Sequence, residues 1–174
     1  MQNTEKSFIH VYTGNGKGKT TAAIGLAVRC VGAGYKVYFC QFLKGGNYSE
    51  TKVLSMIDGI KHETFGMGGF IRGLPTISDL KIAEEGFLKL KEAISSGIYR
   101  LVIADEIIVA VHKGVIKKDE LLKLLSELPD GVELVLTGRY ADDDIKDSAD
   151  LVTEMLEVKH YFSKGVQARI GIEK

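Results

Sequence analysis

The sequence predicts an α/β fold, a mostly parallel sheet with helices on both faces. Two patterns carry that expectation. Apolar runs of strand length recur at 8–12, 36–43, 60–66, 99–107 and 132–139. Between them, 20–31, 48–59, 78–94 and 118–128 read as helices. Strands without a polar face, separated by amphipathic helices, are the pattern of a parallel sheet buried on both sides. The 174 residues suit one domain, expected to span 1–174.

Each element has a local reason. The first run, 8–12, ends in glycines, as a strand feeding a loop does. In 20–31, Ala22, Ala23, Leu26, Ala27 and Cys30 fall at helical spacing, and Gly32 and Gly34 stop the helix. "KVYFCQFL" (36–43) is rich in aromatic and β-branched residues, a strand composition. Ser49 is a candidate N-cap for the helix in 48–59. "IKHETFG" (60–66) reads as a third strand and "GMGGFIRGLP" (66–75) as a glycine-rich loop. Leu80, Ala83, Phe87, Leu90 and Ile94 mark an amphipathic helix. "YRLVIADEI" (99–107) is an almost unbroken apolar strand ending in two carboxylates, and "VELVLTGR" (132–139) is another buried strand. "DDDIKDSAD" (142–150) adds a short helical turn whose acids suit a helix start.

Composition excludes some classes. Lys plus Arg equals Asp plus Glu at 23 each, so no global field favours nucleic acid or a membrane surface. No apolar run approaches the roughly 20 residues of a bilayer span, and residues 1–7 are too polar for a signal peptide. Cys30 and Cys40 are too few for a disulfide framework and read as free thiols of a reducing cytoplasm. The four histidines lack ligand spacing, which argues against a structural zinc.

The chemistry is concentrated in "HVYTGNGKGKTTAAIG" (10–25). Gly18-Lys19-Thr20 supplies the second half of the phosphate-loop pattern G-x-x-x-x-G-K-[ST], while Thr13 occupies its first glycine position. Gly14, Asn15, Gly16, Lys17 and Gly18 can turn backbone N–H groups inward around an anion, and a helix beginning at Lys19–Thr20 aims its positive end there. Lys19 adds a point charge, and the Thr20 hydroxyl can reach Mg²⁺. Strand, loop and helix together identify a nucleoside-triphosphate loop. Asp105 and Glu106, at the end of an apolar strand, are the matching metal-binding or nucleophile-orienting acids. Such a pair fits kinases, ATPases and group transferases alike. A P-loop small-molecule kinase and a RecA-like ATPase both stand as alternatives at this point.

An ordered set of blocks narrows the choice: "YTGNGKGKTTAA" (12–23), "AVRCVGAG" (27–34), "QFLKG" (41–45), "GMGGF" (66–70), "ADEI" (104–107), "LTGR" (136–139) and "VKHYFSKGVQARIGIE" (158–173). Together they resemble the P-loop type of ATP:corrinoid adenosyltransferase, over nearly the whole chain. The resemblance implies one RecA-like P-loop domain, working as a cytoplasmic homodimer and served by a reductant protein. It implies ATP and a corrinoid as substrates, with Co⁺ of a cob(I)alamin-type corrinoid attacking the ribose C5′ and triphosphate leaving.

By matched position, residues Gly14 to Thr20, with Thr21, cradle the triphosphate. Thr20, Asp105 and Glu106 hold Mg²⁺, and Arg29, Gln41 and Arg139 lie near the nucleotide. Lys19, Glu106 and Phe70 are the catalytic residues. Phe70 matches an aromatic wedge that displaces the lower axial ligand of cobalt and so eases reduction of Co²⁺. The chain departs from the family pattern at Arg72, where tryptophan is frequent, and at Ile108, where asparagine is common.

Overall fold

The computed structural model describes residues 6–46, 48–68 and 73–173. Its strands are β1 (Phe8–Thr13), β2 (Val37–Phe42), β3 (Ile60–Phe65), β4 (Leu101–Asp105), β5 (Glu133–Thr137) and β6 (Leu151–Glu154). They form one sheet in the order β3-β2-β4-β5-β1-β6, and every neighbouring pair is parallel. Parallel neighbours cannot be joined by tight turns. The crossovers contain α1 (Lys19–Gly32), α2 (Ser49–Leu54), α3 (Ile77–Ser95), α4 (Ile107–His112), α5 (Lys118–Ser126) and α6 (Asp143–Asp147). A 3₁₀ turn, Tyr161–Lys164, follows β6.

Side-chain alternation sends the strands into two cores. Val37 and Phe39 of β2, Leu101 and Ile103 of β4, and Val135 of β5 pack against Ala23 and Ala27 of α1 and Leu54 of α2. The intervening residues Tyr38, Cys40, Val102, Ala104, Leu134 and Leu136 face the other side, with Phe87, Leu90 and Ile94 of α3 and Leu121 of α5. The two small residues of α1, one turn apart, let that helix lie close to the sheet. The sheet is covered on both faces, as the sequence predicts.

Three local details differ from the sequence reading. Strand β4 stops at Asp105 rather than 107, because Glu106 adopts φ 62° and turns the chain into α4. The apolar run continues through "IIVAVH", and periodicity does not separate a buried strand from a short buried helix. At α2, Ser49 is the first helical residue and Tyr48 takes the N-cap position, without a side-chain cap bond. Helix α3 starts at Ile77 behind a capping box, Thr76 Oγ1 accepting from Asp79 N while Asp79 Oδ2 accepts from Thr76 N.

Gly86 sets two effects against each other. Alanine is about 1 kcal/mol better than glycine inside a helix. A Cβ at Gly86, however, would sit 2.6 Å from Cγ of the buried Phe65 ring. Overpacking of this kind costs about 1–3 kcal/mol, so Gly86→Ala is expected to lower the melting temperature by a few degrees. Thermal unfolding followed by circular dichroism checks it, and a gain in stability would contradict the close approach of Phe65.

Candidate active site

The site grows out of the same alternation that builds the core. On the α1 face, the row Val37–Phe39 ends in Gln41, Leu101–Ile103 ends in Asp105, and Val135 ends in Thr137. These three adjacent strands thus replace an apolar residue with a polar one at their carboxyl ends, under the start of α1. All three side chains are fully buried.

Asp105 is the centre of the arrangement. Its Oδ1 accepts from Thr20 Oγ1 at 2.8 Å and Thr137 Oγ1 at 2.6 Å. Its Oδ2 accepts from Gln41 Nε2 at 3.0 Å and Lys44 Nζ at 3.0 Å. Four donors from three parts of the chain therefore occupy the carboxylate. Burying an ion costs several kcal/mol even after relaxation. One ammonium at this distance returns about 5 kcal/mol at an effective dielectric near 20, and each neutral donor to a charged group adds about 1.5–3 kcal/mol. The hydroxyls and the amide make the buried charge tenable. Gln41 is oriented in turn, its Oε1 lying 3.0 Å from His62 Nε2.

Above this floor lies the glycine-rich loop. Gly18 has φ 119° and occupies the N-cap of α1, so the helix begins at Lys19 without a capping side chain to block its amides. Lys19 is buried, and its Nζ donates to the carbonyls of Gly14 and Gly16, each at 2.7 Å. Burial lowers the pKa of this ammonium and the Arg139 charge adds to that, against the pull of Glu106 and Asp105. Thr20 spends its single proton on Asp105, leaving its oxygen lone pairs for a ligand. Asn15 and Thr21 are exposed beside the loop.

Glu106 is the second acid. It is positioned by its left-handed backbone and by its N–H, which Thr137 Oγ1 accepts at 3.0 Å. Burial and the neighbouring Asp105 raise its pKa, while Lys44, Lys19 and Arg139 pull it back. No described residue forms a hydrogen bond or ion pair with its carboxylate. Ile108 is fully buried, and a Cβ on Gly138 would lie 2.8 Å from it, so the apolar departure at 108 is absorbed by close packing beneath Arg139. Arg139 itself is exposed.

Not every expected residue joins this cluster. Arg29 is exposed on the last turn of α1, about 15 Å along the helix axis from Lys19, where its charge acts on Tyr12. Phe70 and Arg72 lie outside the described residues. Lys17 points to the C-terminal segment: its Nζ reaches Glu173 Oε1 at 2.7 Å, Tyr161 Oη at 3.1 Å and the Ile172 carbonyl at 3.1 Å. The Gly16 N–H is likewise committed, donating to the Met155 carbonyl at 2.6 Å. A Cβ at Gly14 or Gly16 would meet that same carbonyl at 2.5 or 2.6 Å. The loop glycines thus admit a neighbouring chain segment.

Lys44 and Thr137 are the members of the Asp105 cluster that motif reading missed. Both fall inside recognised blocks, but their contacts with Asp105 span 61 and 32 residues. The alternation of β5 could have pointed to Thr137. Lys44 sits in an irregular loop, where no period helps. Among the described residues no group of three or more His, Cys, Asp or Glu is arranged to hold a metal. A hydroxyl and one or two carboxylates are instead the partial donor set that Mg²⁺ uses when phosphates and water complete its shell.

A glycine-rich loop at a helix start, set against two consecutive acids at the end of β4, matches a known pattern. The family model for ATP:corrinoid adenosyltransferase BtuR/CobO/CobP aligns with residues 5–173. The chain belongs to the ATP:corrinoid adenosyltransferase family. It is 36% identical to a corrinoid adenosyltransferase of Escherichia coli over 169 residues, covering 97% of this chain and 86% of that protein. Identity to the Salmonella typhimurium corrinoid adenosyltransferase CobA is 34% over 173 residues, 97% and 86% of the two chains. A Sinorhizobium corrinoid adenosyltransferase is 36% identical over 173 residues, with coverage of 97% and 81%. Family membership makes this chain an enzyme whose substrates are ATP and a corrinoid.

In this adenosyltransferase the C-terminal segment is held by charge. Hydrogen bonds from Arg169, Lys17 and Tyr161 hold the Glu173 carboxyl well below the ordinary carboxylate range. A depressed folded-state pKa contributes stability above the unfolded pKa, lost only as pH falls through the lower folded value. Hydrogen exchange across 155–173 is therefore expected to stay protected while ordinary carboxylates titrate near 4.3. Lys17→Ala should accelerate that exchange several-fold at neutral pH. Unchanged exchange in the variant would show that the segment is held by something else.

Proposed function

We propose that the protein transfers the 5′-deoxyadenosyl group of ATP to the cobalt of a reduced corrinoid, cob(I)alamin or a close relative, with triphosphate as the leaving group. The observation that carries the reading is the meeting of the uncapped start of α1, with Lys19 and Thr20, and the acids Asp105 and Glu106 at the end of β4.

The reaction forms a Co–C bond while the C5′–O bond to the triphosphate breaks, and both bonding electrons go to the departing oxygen. Charge therefore grows on the phosphate side. Lys19 answers it: its ammonium, resting on two loop carbonyls, turns to phosphate oxygen when an anion enters. The amides of the first turn of α1 add their dipole to the same end. A loop that fixes all three phosphates also aligns C5′ for attack, and such positioning is worth several orders of magnitude in rate. Thr20 and Glu106, with Asp105 behind them, would hold Mg²⁺, which neutralises phosphate charge when bound. Asp105 acts from the second layer, since protein donors already fill its carboxylate.

Arg139 extends the nucleotide site in this reading, Gln41 supports it from beneath by holding Asp105, and Arg29 serves from the far end of α1. We assign the cobalt-side wedge to Phe70 on the resemblance of "GMGGF". The working form proposed is one domain per chain in a cytoplasmic homodimer, supplied with electrons by a reductant protein. Exposed Leu151, Val152, Leu156, Val158, Phe162 and Ile170 along β6 and the tail support an association surface. No described helix is long and apolar enough to cross a membrane.

Mixing the protein with ATP, Mg²⁺ and chemically reduced cobalamin tests the reaction. The expected products are adenosylcobalamin, followed by its visible spectrum, and intact triphosphate. ADP in place of triphosphate would make the enzyme a phosphoryl-transfer catalyst and end the proposal. Phe70→Ala is expected to slow the reaction begun from Co²⁺ by at least about ten-fold, a barrier change near 1.4 kcal/mol, while sparing the reaction begun from Co⁺. Equal losses from both starting states would remove the wedge role.

A further inference from the structure

We infer that Lys44 is a positioning residue whose built-in positive charge makes metal uptake at the Asp105–Glu106 site depend on nucleotide. The inference rests on the metal-assisted reading above and deepens it. Lys44 stands just past β2, and its Nζ bridges Asp105 Oδ2 at 3.0 Å and Glu50 Oε1 at 3.3 Å. The ammonium also lies 5.4 Å from the centre of the Tyr48 ring. Its side chain is only 16% exposed, so salt screens it little.

The charge balance gives the ammonium its role. Of the four donors on Asp105, Lys44 alone is charged. Lys44 bridges two carboxylates, Asp105 and Glu50, and its charge also acts on Glu106. With Lys44 present, the most deeply buried negative charge is already answered, and a divalent ion gains little by entering alone. A nucleoside triphosphate brings several further negative charges and oxygen ligands, and the ion then has reason to enter with it. Without Lys44 the carboxylates would recruit a divalent ion before any nucleotide arrived.

Mn²⁺ is the probe, because its free and bound forms are distinguished by electron paramagnetic resonance. Wild-type protein is expected to take up Mn²⁺ with ATP and only weakly without it. Lys44→Met, which keeps the length and removes the charge, should bind Mn²⁺ without nucleotide at least about ten-fold more tightly than wild type. Its melting temperature should rise with added Mn²⁺ where that of the wild type does not. Lys44→Arg should restore the wild-type pattern. Equal nucleotide-free affinities in wild type and Lys44→Met overturn the inference and leave the metal-assisted reading intact. Failure of the wild type to take up Mn²⁺ even with ATP removes both. A Lys44→Met protein soluble only with Mn²⁺ present supports the inference, and one insoluble with and without it overturns it, because the ion then fails to replace the ammonium.

Discussion

The interaction on which the rest of the site depends is the buried carboxylate of Asp105. It ties together α1 through Thr20, β2 through Gln41, the chain after β2 through Lys44, and β5 through Thr137. A charge with no exposed surface is stable only while its partners remain in place, so the site has little freedom to drift. The floor of the site and the placing of the groups above it are one structure. Loss of any one donor leaves a charge that is less well satisfied, rather than a gap that water fills.

Backbone geometry at the carboxyl ends of the strands follows from the same constraint. Leu43, Glu106 and Tyr140 have φ of 60°, 62° and 71°, and they come just after β2, β4 and β5. Those strands also supply Gln41, Asp105 and Thr137. Each chain must turn sharply once it has delivered its polar residue, because the helix that follows has to cover the next strand. Non-glycine residues in this conformation cost energy and persist only where surrounding contacts hold them. At Glu106 the turn places a second, half-buried carboxylate directly after the buried one.

The glycine-rich loop is constrained from two sides. Its inner side carries Lys19 and the start of α1, while its outer side packs against Met155 and the segment anchored by Glu173. The glycine spacing read as a cradle for an anion is thus also the spacing that lets the chain after β6 approach. Lys17, crowded with Lys19 in sequence, faces Tyr161 and Glu173, while Lys19 folds over the loop itself. Two lysines separated by one residue divide the work, one reaching the C-terminal segment and the other the loop's own carbonyls.

Much of this was legible in the amino-acid order. Alternating apolar runs and helical stretches determined the α/β class, Gly18-Lys19-Thr20 marked the loop that opens α1, and "ADE" at the end of a strand marked the acids that meet it. Those are local patterns, in which period, turn chemistry and residue type act over a few positions. Tertiary structure alone decided the strand order, which separates β1 from β4 by β5 and so makes Thr137 the bridge to Asp105. It also decided the place of Lys44, the partner of Lys17 and the end of β4 at Asp105. Each of these depends on groups 30 or more residues apart, or on a buried apolar run that satisfies strand and helix equally, and no local pattern encodes which distant chain will complete a buried charge.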